Sequence, residues 1–283
     1  MSPLTVVGID RRGNSCYAVR VTESTGRPEV HSVVCYDDDH RPDDFLSDHD
    51  RVVLSVPDDL VQVKSLCLNH SDPIDIRARA RFELAQSLLE PESEFLFDIL
   101  ITDESDQLLG LIYRYRRLEE LQSEYGVNNF NGVSYLIRAA ALGRGYLAYA
   151  RQVPGELVAL VDFDGRLASI CLIYRRRIVG LAHLATGHPD HASDEELSRM
   201  AAEFRTVLNF KLASLANQGV SLPLSELLLS GAGTDNRFQD MLKSHFPTGV
   251  GRPELNTGYF GDKVTAGDVP LSNYLVALGL IVN

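Results

Sequence analysis

The feature that most constrains this chain is a pattern that occurs twice. Leu4 to Ile9 is a short apolar run that ends at Asp10, and the turn Arg11-Arg12-Gly13-Asn14 follows. Two β-rich stretches come next, Cys16 to Val21 and Glu29 to Cys35, separated by Ser24-Thr25-Gly26-Arg27-Pro28. Far down the chain the order returns. Leu157 to Val161 runs into Asp162, the turn Phe163-Asp164-Gly165-Arg166 follows, and Leu167 to Tyr174 and Arg177 to Leu184 are again β-rich. Short apolar runs bounded by Gly, Asp, Asn and Pro read as strands. Each half then continues to a helix and a further strand. A period this long is not that of a solenoid. It asks for two related α/β lobes facing one another. Glycine-containing turns directly after apolar strands present backbone N–H groups to phosphate, so such turns between two lobes would form a nucleotide cleft.

A chain of 283 residues buries about three quarters of its unfolded surface and needs neither metal nor disulfide to hold a core. With 45% hydrophobic and 23% charged residues it is globular in composition. No run approaches the roughly 18 apolar residues of a membrane span. The net charge of −12 argues against a general nucleic-acid binder or an independent anchor on anionic lipid, and leaves either role only to a local basic patch. Cys16, Cys35, Cys67 and Cys171 form no CxxC pair and read as free buried thiols of a reducing compartment. Met1-Ser2-Pro3-Leu4 lacks the basic region of a signal peptide. These features place the protein in the cytoplasm.

Between the repeats, residues 37–50 hold seven Asp against one Arg and read as a solvated loop. Val52 to Val56 and the alternating Val61, Val63 and Leu66 are strands. Ser71-Asp72-Pro73 starts a helix with Ile74, Ala78, Phe82, Ala85 and Leu89 on its inner face, ending before Pro91. Phe95 to Ile101 and Leu108 to Tyr113 are strands, Arg117 to Tyr125 is a helix, and a longer helix runs from Val133 to about Ala150. Ser193-Asp194-Glu195-Glu196 is a capping box. It launches a helix with Leu197, Met200, Ala201, Phe204, Val207, Leu208, Leu212 and Leu215 inward. Glu226 to Ser230 is a strand leading into Gly231-Ala232-Gly233-Thr234 and a helix, and Tyr274 to Ile281 is a buried helix.

The duplicated strand–Asp–turn plan with a late strand–Gly-x-Gly–helix resembles the actin, sugar-kinase and heat-shock ATPase superfamily. Within it the chain is similar to the type IV pilus assembly protein PilM family. Glu83, Pro91 and Asp98 stand at the spacing of that family's inserted subdomain, Thr186-Gly187 stands where the family has a Gly-rich turn, and Leu228-Leu229-Ser230-Gly231-Ala232-Gly233 resembles its adenosine-side loop. The resemblance implies an α/β, actin-like (ribonuclease H-like) duplicated two-lobe fold with a small inserted α+β subdomain. Its expected divisions are 1–68 for the first lobe's N-terminal part, 69–130 for the insertion, 131–153 for the returning helix and 154–283 for the second lobe. A degenerate nucleotide cleft would comprise Asp10, Arg12, Gly13, Asp162, Gly165, Gly231, Gly233 and Thr234.

The phosphate loops depart from the superfamily's Asp-x-Gly. They read Asp10-Arg11-Arg12-Gly13 and Asp162-Phe163-Asp164-Gly165, with each glycine one position late, and Tyr17 stands where the family usually has Lys. Asp164 would put a carboxylate where a terminal phosphate belongs. The expectation is therefore a pseudo-ATPase with no cofactor and no catalytic residue, ATP with Mg²⁺ being the alternative. By resemblance the protein would be a cytoplasmic scaffold of a type IV pilus or related secretion platform, peripheral to the inner membrane through its partners. The partner would be the N-terminal peptide of a PilN-like bitopic protein, alongside other platform proteins, with no nucleic acid and with homo-oligomerisation left open. The peptide would lie between residues 51–68 and 74–125. Alternatives are an active actin-like ATPase and the cytoplasmic domain of a GspL-type type II secretion protein.

Other features read more plainly. His188, Asp190 and His191, with His183 nearby, are interrupted by Pro189 and read as a loop rather than a zinc site. Ser230 lacks the glycine two residues before it that a nucleophile elbow needs. Arg114, Arg116 and Arg117 form one basic group and Arg175, Arg176 and Arg177 another. Both read as solvated strand ends, or, in a membrane-associated scaffold, as contacts to anionic headgroups.

Overall fold

A computed structural model describes residues 5–22, 29–37, 45–47, 50–67, 73–101, 107–127, 132–151, 156–186, 189, 192–217, 223–231, 236–260, 264 and 269–282. The chain divides into two compact units, one of residues 1–55 with 129–283 and one of residues 56–128.

In the larger unit, β1 (Thr5–Arg12), β2 (Ser15–Thr22) and β3 (Glu29–Asp37) form an antiparallel meander, and β4 (Arg51–Val56) pairs parallel with β1. The smaller unit holds β5 (Val61–Cys67), α1 (Pro73–Ala85), β6 (Phe95–Ile101), β7 (Gln107–Arg114) and α2 (Tyr115–Glu124). Its three strands run in the order β5-β7-β6, all antiparallel. Back in the larger unit come β8 (Ser134–Ile137), α3 (Arg138–Tyr149), β9 (Leu157–Phe163), β10 (Leu167–Tyr174), β11 (Arg177–Ala185) and α4 (Asp194–Asn217). Then follow β12 (Leu224–Gly231), α5 (Asn236–His245), β13 (Gly249–Gly251) and α6 (Leu275–Leu280).

The two large sheets have the same plan. Their orders are β3-β2-β1-β4-β8 and β11-β10-β9-β12-β13. The antiparallel meander of β9, β10 and β11 matches that of β1, β2 and β3, and β12 pairs parallel with β9 as β4 does with β1. β9 is buried at all seven positions, as an apolar strand at the centre of a covered sheet must be. Leu197, Met200, Ala201, Phe204, Leu208 and Leu215 of α4 pack on this sheet, the face read from the helical period. The capping box forms as well: Glu196 N–H donates to Ser193 Oγ and Ser193 N–H to the Glu196 carboxylate.

Four sequence readings change. Cys16 and Cys171 are buried free thiols, but Cys35 of β3 is exposed. The segment read as one helix from Val133 begins as β8, and the helix starts only at Arg138. The run Val133-Ser134-Tyr135-Leu136-Ile137 is rich in strand-forming side chains and extends the sheet beyond β4. In α1 the inward stripe is Ile76, Ala80 and Leu84, while Phe82 and Leu89 are 62% and 105% exposed. This helix carries two apolar stripes, and Leu108, Phe95 and Ile112 of the sheet receive the other one. Most of the acidic segment 37–50 lies outside the described residues, but its last member is not solvated. Asp50 is buried, accepting from the Ser47 N–H at 2.8 Å and from Arg20 at 3.3 Å.

Helices α3 and α6 cross at backbone contact. A Cβ on Gly145 would lie 2.1 Å from the Leu275 carbonyl oxygen, and one on Gly279 would lie 1.7 Å from that of Ala141. No side chain fits, so the crossing exists only with glycine at both points. Gly279→Ala should cost at least about 3 kcal/mol in urea unfolding, because backbone rather than a yielding side chain opposes the methyl. Gly249→Ala, with only one backbone atom at 4.0 Å, should stay within about 0.5 kcal/mol.

Candidate functional site

Asp10 and Asp162 occupy equivalent places, near the ends of β1 and β9, and both are fully buried. The repeat goes further than the aspartates. Ser55 of β4 donates its hydroxyl to Asp10 Oδ1 at 2.7 Å, and Ser230 of β12 donates to Asp162 Oδ1 at 2.5 Å. In each lobe the strand parallel to the Asp-bearing strand supplies a serine.

Two guanidinium groups lie between the carboxylates. Arg138 Nη2 donates to Asp10 Oδ2 at 3.1 Å and to Asp162 Oδ2 at 2.9 Å, so one nitrogen joins the two lobes. Its Nε also reaches Asp162 Oδ2 at 3.1 Å, and its Nη1 reaches Asp164 Oδ2 at 3.0 Å and the Arg11 carbonyl at 3.3 Å. Arg12 lies beside it. Its Nε donates to Asp10 Oδ2 at 2.9 Å, and its Nη2 donates to Asp162 Oδ1 at 3.0 Å and to the Asn273 carbonyl at 2.7 Å. The Arg12 guanidinium stacks over Tyr17 at 4.6 Å, and Tyr17 meets Tyr274 edge-on at 5.5 Å. Arg138 is 1% and Arg12 6% exposed. Charged groups this deep persist only when paired and hydrogen-bonded, and here three carboxylates share two guanidinium groups.

The displaced glycines serve hairpin turns. Gly13 and Gly165 have φ of 60° and 90°, a conformation that favours glycine. Asp164 Oδ1 accepts the Arg166 and Leu167 N–H groups of its own turn while Oδ2 holds Arg138. Gly231 has φ of 82°, and a Cβ there would lie 2.4 Å from the Phe163 carbonyl and 2.9 Å from both Asp162 Oδ1 and Arg12 Nη1. It lets the chain leave β12 directly over the ion cluster.

As arranged, these oxygens do not fit a magnesium ion. Such an ion binds carboxylate and water oxygens at about 2.1 Å in octahedral geometry, and Arg138 already holds the inner oxygens of both aspartates. Among the described residues no group of three or more His, Cys, Asp or Glu side chains is placed to hold a metal.

No known family model matches the sequence, and no curated protein matches it. Solved structures do match. The PilM–PilN type IV pilus biogenesis complex superposes with a TM-score of 0.61 and 13% identity, covering 97% of this chain and 97% of that one. A protein of unknown function with an actin-like ATPase fold, from Bacteroides thetaiotaomicron, superposes with a TM-score of 0.53 and 10% identity, covering 88% and 91%. The fold is actin-like. The cytoplasmic domain of EpsL, an inner-membrane component of the type II secretion system of Vibrio cholerae, superposes more loosely at 0.48, with 10% identity over 99% and 95%.

In this actin-like frame Asp10, Arg12, Asp162 and Gly231 come together, while Gly13 and Gly165 sit at the adjoining turns. Gly233 and Thr234 lie outside the described residues, as do Gly187, His188, Asp190 and His191. The residue that sequence reasoning missed is Arg138. Its signal was available: an arginine between the apolar Leu136-Ile137 and the run Ala139-Ala140-Ala141 has no solvated face to occupy. It is also the first residue of α3, where the helix dipole disfavours a cation, which points to acidic partners. Ser55 was missed too, and Ser230 was read only as part of the late Gly-x-Gly motif, because their bonds to the aspartates depend on the parallel pairing of distant strands.

Removing Arg138 would leave Asp162 Oδ2 without a partner and Asp10 Oδ2 with Arg12 alone. Arg138→Ala should lose about 3–5 kcal/mol in urea unfolding, and millimolar Mg²⁺ should restore part of that loss while leaving the parent chain unchanged. A second expectation concerns high pH. Burial pushes the Tyr17 and Tyr274 phenols up, and burial with the Glu226 charge pushes Tyr146 up to about 12. A raised phenol stabilises the fold fully below its unfolded value near 10.0 and withdraws that stability as pH climbs through the folded value. Chemical denaturation should show stability falling between pH 10 and about 12, with tyrosinate absorbance lagging that of the unfolded chain.

Proposed function

We propose that this protein is a non-hydrolysing actin-like scaffold of a type IV pilus or related secretion platform, working in the cytoplasm against the inner membrane. The observation that carries the reading is the pair of guanidinium groups between Asp10 and Asp162. In an actin-like ATPase these strand-end acids would face a metal and phosphates. Here their charge is met by the protein's own side chains, so the two lobes are held together without a ligand. The likeness to the PilM–PilN complex supports a PilN-like peptide as the partner, the bound segment being the cytoplasmic N-terminus of a membrane-anchored protein. Asp164 adds a third carboxylate to the cluster through Arg138 Nη1, and its charge would oppose an incoming phosphate.

The test has two arms. A ligand present at a hundred times its dissociation constant stabilises by about 2.7 kcal/mol, so thermal unfolding reads both. Mg-ATP and Mg-ADP at millimolar concentration should leave the melting temperature unchanged. A synthetic N-terminal peptide from a PilN-type protein should raise it. A nucleotide shift would overturn the pseudo-ATPase reading, and a peptide without affinity would overturn the scaffold reading.

A further inference from the structure

The two basic runs look alike in sequence and differ in structure. In the smaller unit, Arg114 makes a two-pronged contact with Glu90 at 2.7 and 2.5 Å, and Arg116 and Arg117 both reach Glu120, at 3.2 and 2.6 Å. Each arginine of that run has a carboxylate partner on its own surface. The hairpin tip of the second run is different. Tyr174 pairs with Arg177 across the β10–β11 ladder, so Arg175 and Arg176 alone make the hairpin loop. Both have positive φ, 48° and 63°. A two-residue loop with positive φ at both positions is a type I′ turn, which normally takes Asn-Gly. Arginine there is strained.

Among the described residues neither arginine has a carboxylate partner. Arg175 stacks over Tyr174 at 5.0 Å, and Arg176 donates to the Leu147 carbonyl at 3.5 Å. Arg144 stands one helical turn before Leu147 on the same face of α3, also without an ion pair among the described residues. The preceding Gly143 packs on Ile178 of the same hairpin. Arg175 and Arg176 therefore form a cationic tip, with Arg144 on the helix packed against the same hairpin, on a chain of net charge −12. At physiological salt, charges more than about 8 Å away are largely screened, so this tip acts locally as a cation.

We propose that the Arg175-Arg176 hairpin tip is a docking point for an anionic lipid surface. A two-residue tip is convex and offers no groove to hold a peptide, whereas a plane of headgroups meets a convex cationic point directly. Tyr174 beneath the tip suits the interfacial zone, where aromatic rings with a polar end are favoured. Each arginine near an anionic surface contributes about fivefold in affinity. Two such groups give weak, salt-sensitive attachment. The inference is independent of the nucleotide and peptide readings.

The experiment is co-sedimentation of the full chain with vesicles of phosphatidylglycerol and phosphatidylcholine in equal parts, and with pure phosphatidylcholine. At physiological ionic strength, where the rest of the chain's charge is screened from the tip, the chain should sediment with the anionic vesicles only, and it should be released at several-fold higher salt. Arg175→Asn with Arg176→Gly removes two charges and supplies the residues a type I′ turn prefers. That variant should bind about 30-fold more weakly and should melt no lower than the parent. Arg116→Glu with Arg117→Glu should bind as the parent does. No sedimentation of the parent with anionic vesicles overturns the proposal, as does unchanged binding by the turn variant or equal loss in the Arg116/Arg117 variant. Retention of the parent by a polyglutamate peptide without vesicle binding would assign the tip to an acidic protein segment and overturn it too.

Discussion

A single nitrogen, Arg138 Nη2, lies within hydrogen-bond distance of the strand-end aspartates of both lobes. Around it, every oxygen of Asp10 and Asp162 has a partner: serine hydroxyls from β4 and β12, and guanidinium nitrogens from Arg12 and Arg138. A buried ion cluster is a poor route to stability, since well-packed apolar residues of similar volume often do as well or better. Its effect is on geometry. Displacing either strand end would leave a buried carboxylate unpaired, so the cluster admits one arrangement of the two lobes and penalises others.

That arrangement needs a rigid support, which the crossing of α3 and α6 provides. The first residue of α3 is Arg138, and the residues leading into α6 include Asn273, whose carbonyl takes Arg12, and Tyr274, which packs on Tyr17. The glycine contacts between Gly145 and Leu275 and between Gly279 and Ala141 set the distance between these helices by backbone alone. Packing of bare backbone has little slack, so the arginines are presented from fixed points. Placing Arg138 at the positive end of α3 costs on the order of 0.3–1 kcal/mol. The nearby carboxylates offset it.

The duplicated lobe plan was legible because it rests on local rules. Apolar strands, turns with glycine, the capping box at Ser193 and the stripe of α4 all follow from spacing along one segment. The aspartates were legible as strand-end acids for the same reason. Arg12 was legible as a cation beside them, but its partners were not, because Asp162 and Asn273 lie far away in sequence. Arg138 was hidden by its segment, where Leu136, Ile137 and the alanines read as one long apolar helix. α1 was misread because two stripes of similar polarity compete, and only the residues of the facing sheet decide between them.

The arginine runs make the same point for surfaces. Charge along a sequence counts cations, whereas the field that a partner meets depends on which of them already face a carboxylate. Glu90 and Glu120 lie on elements that fold beside Arg114, Arg116 and Arg117, so that run is spent within the fold. Arg175 and Arg176 sit where the chain reverses in two residues, and no acidic element among the described residues folds against that tip. Left-handed conformation costs an ordinary residue roughly 1–2 kcal/mol, and asparagine with glycine would remove most of it. A turn that keeps two arginines under that strain, in a chain with 39 acidic residues against 27 basic, is not explained by folding alone. That charge is what the proposed contact with an anionic surface would use.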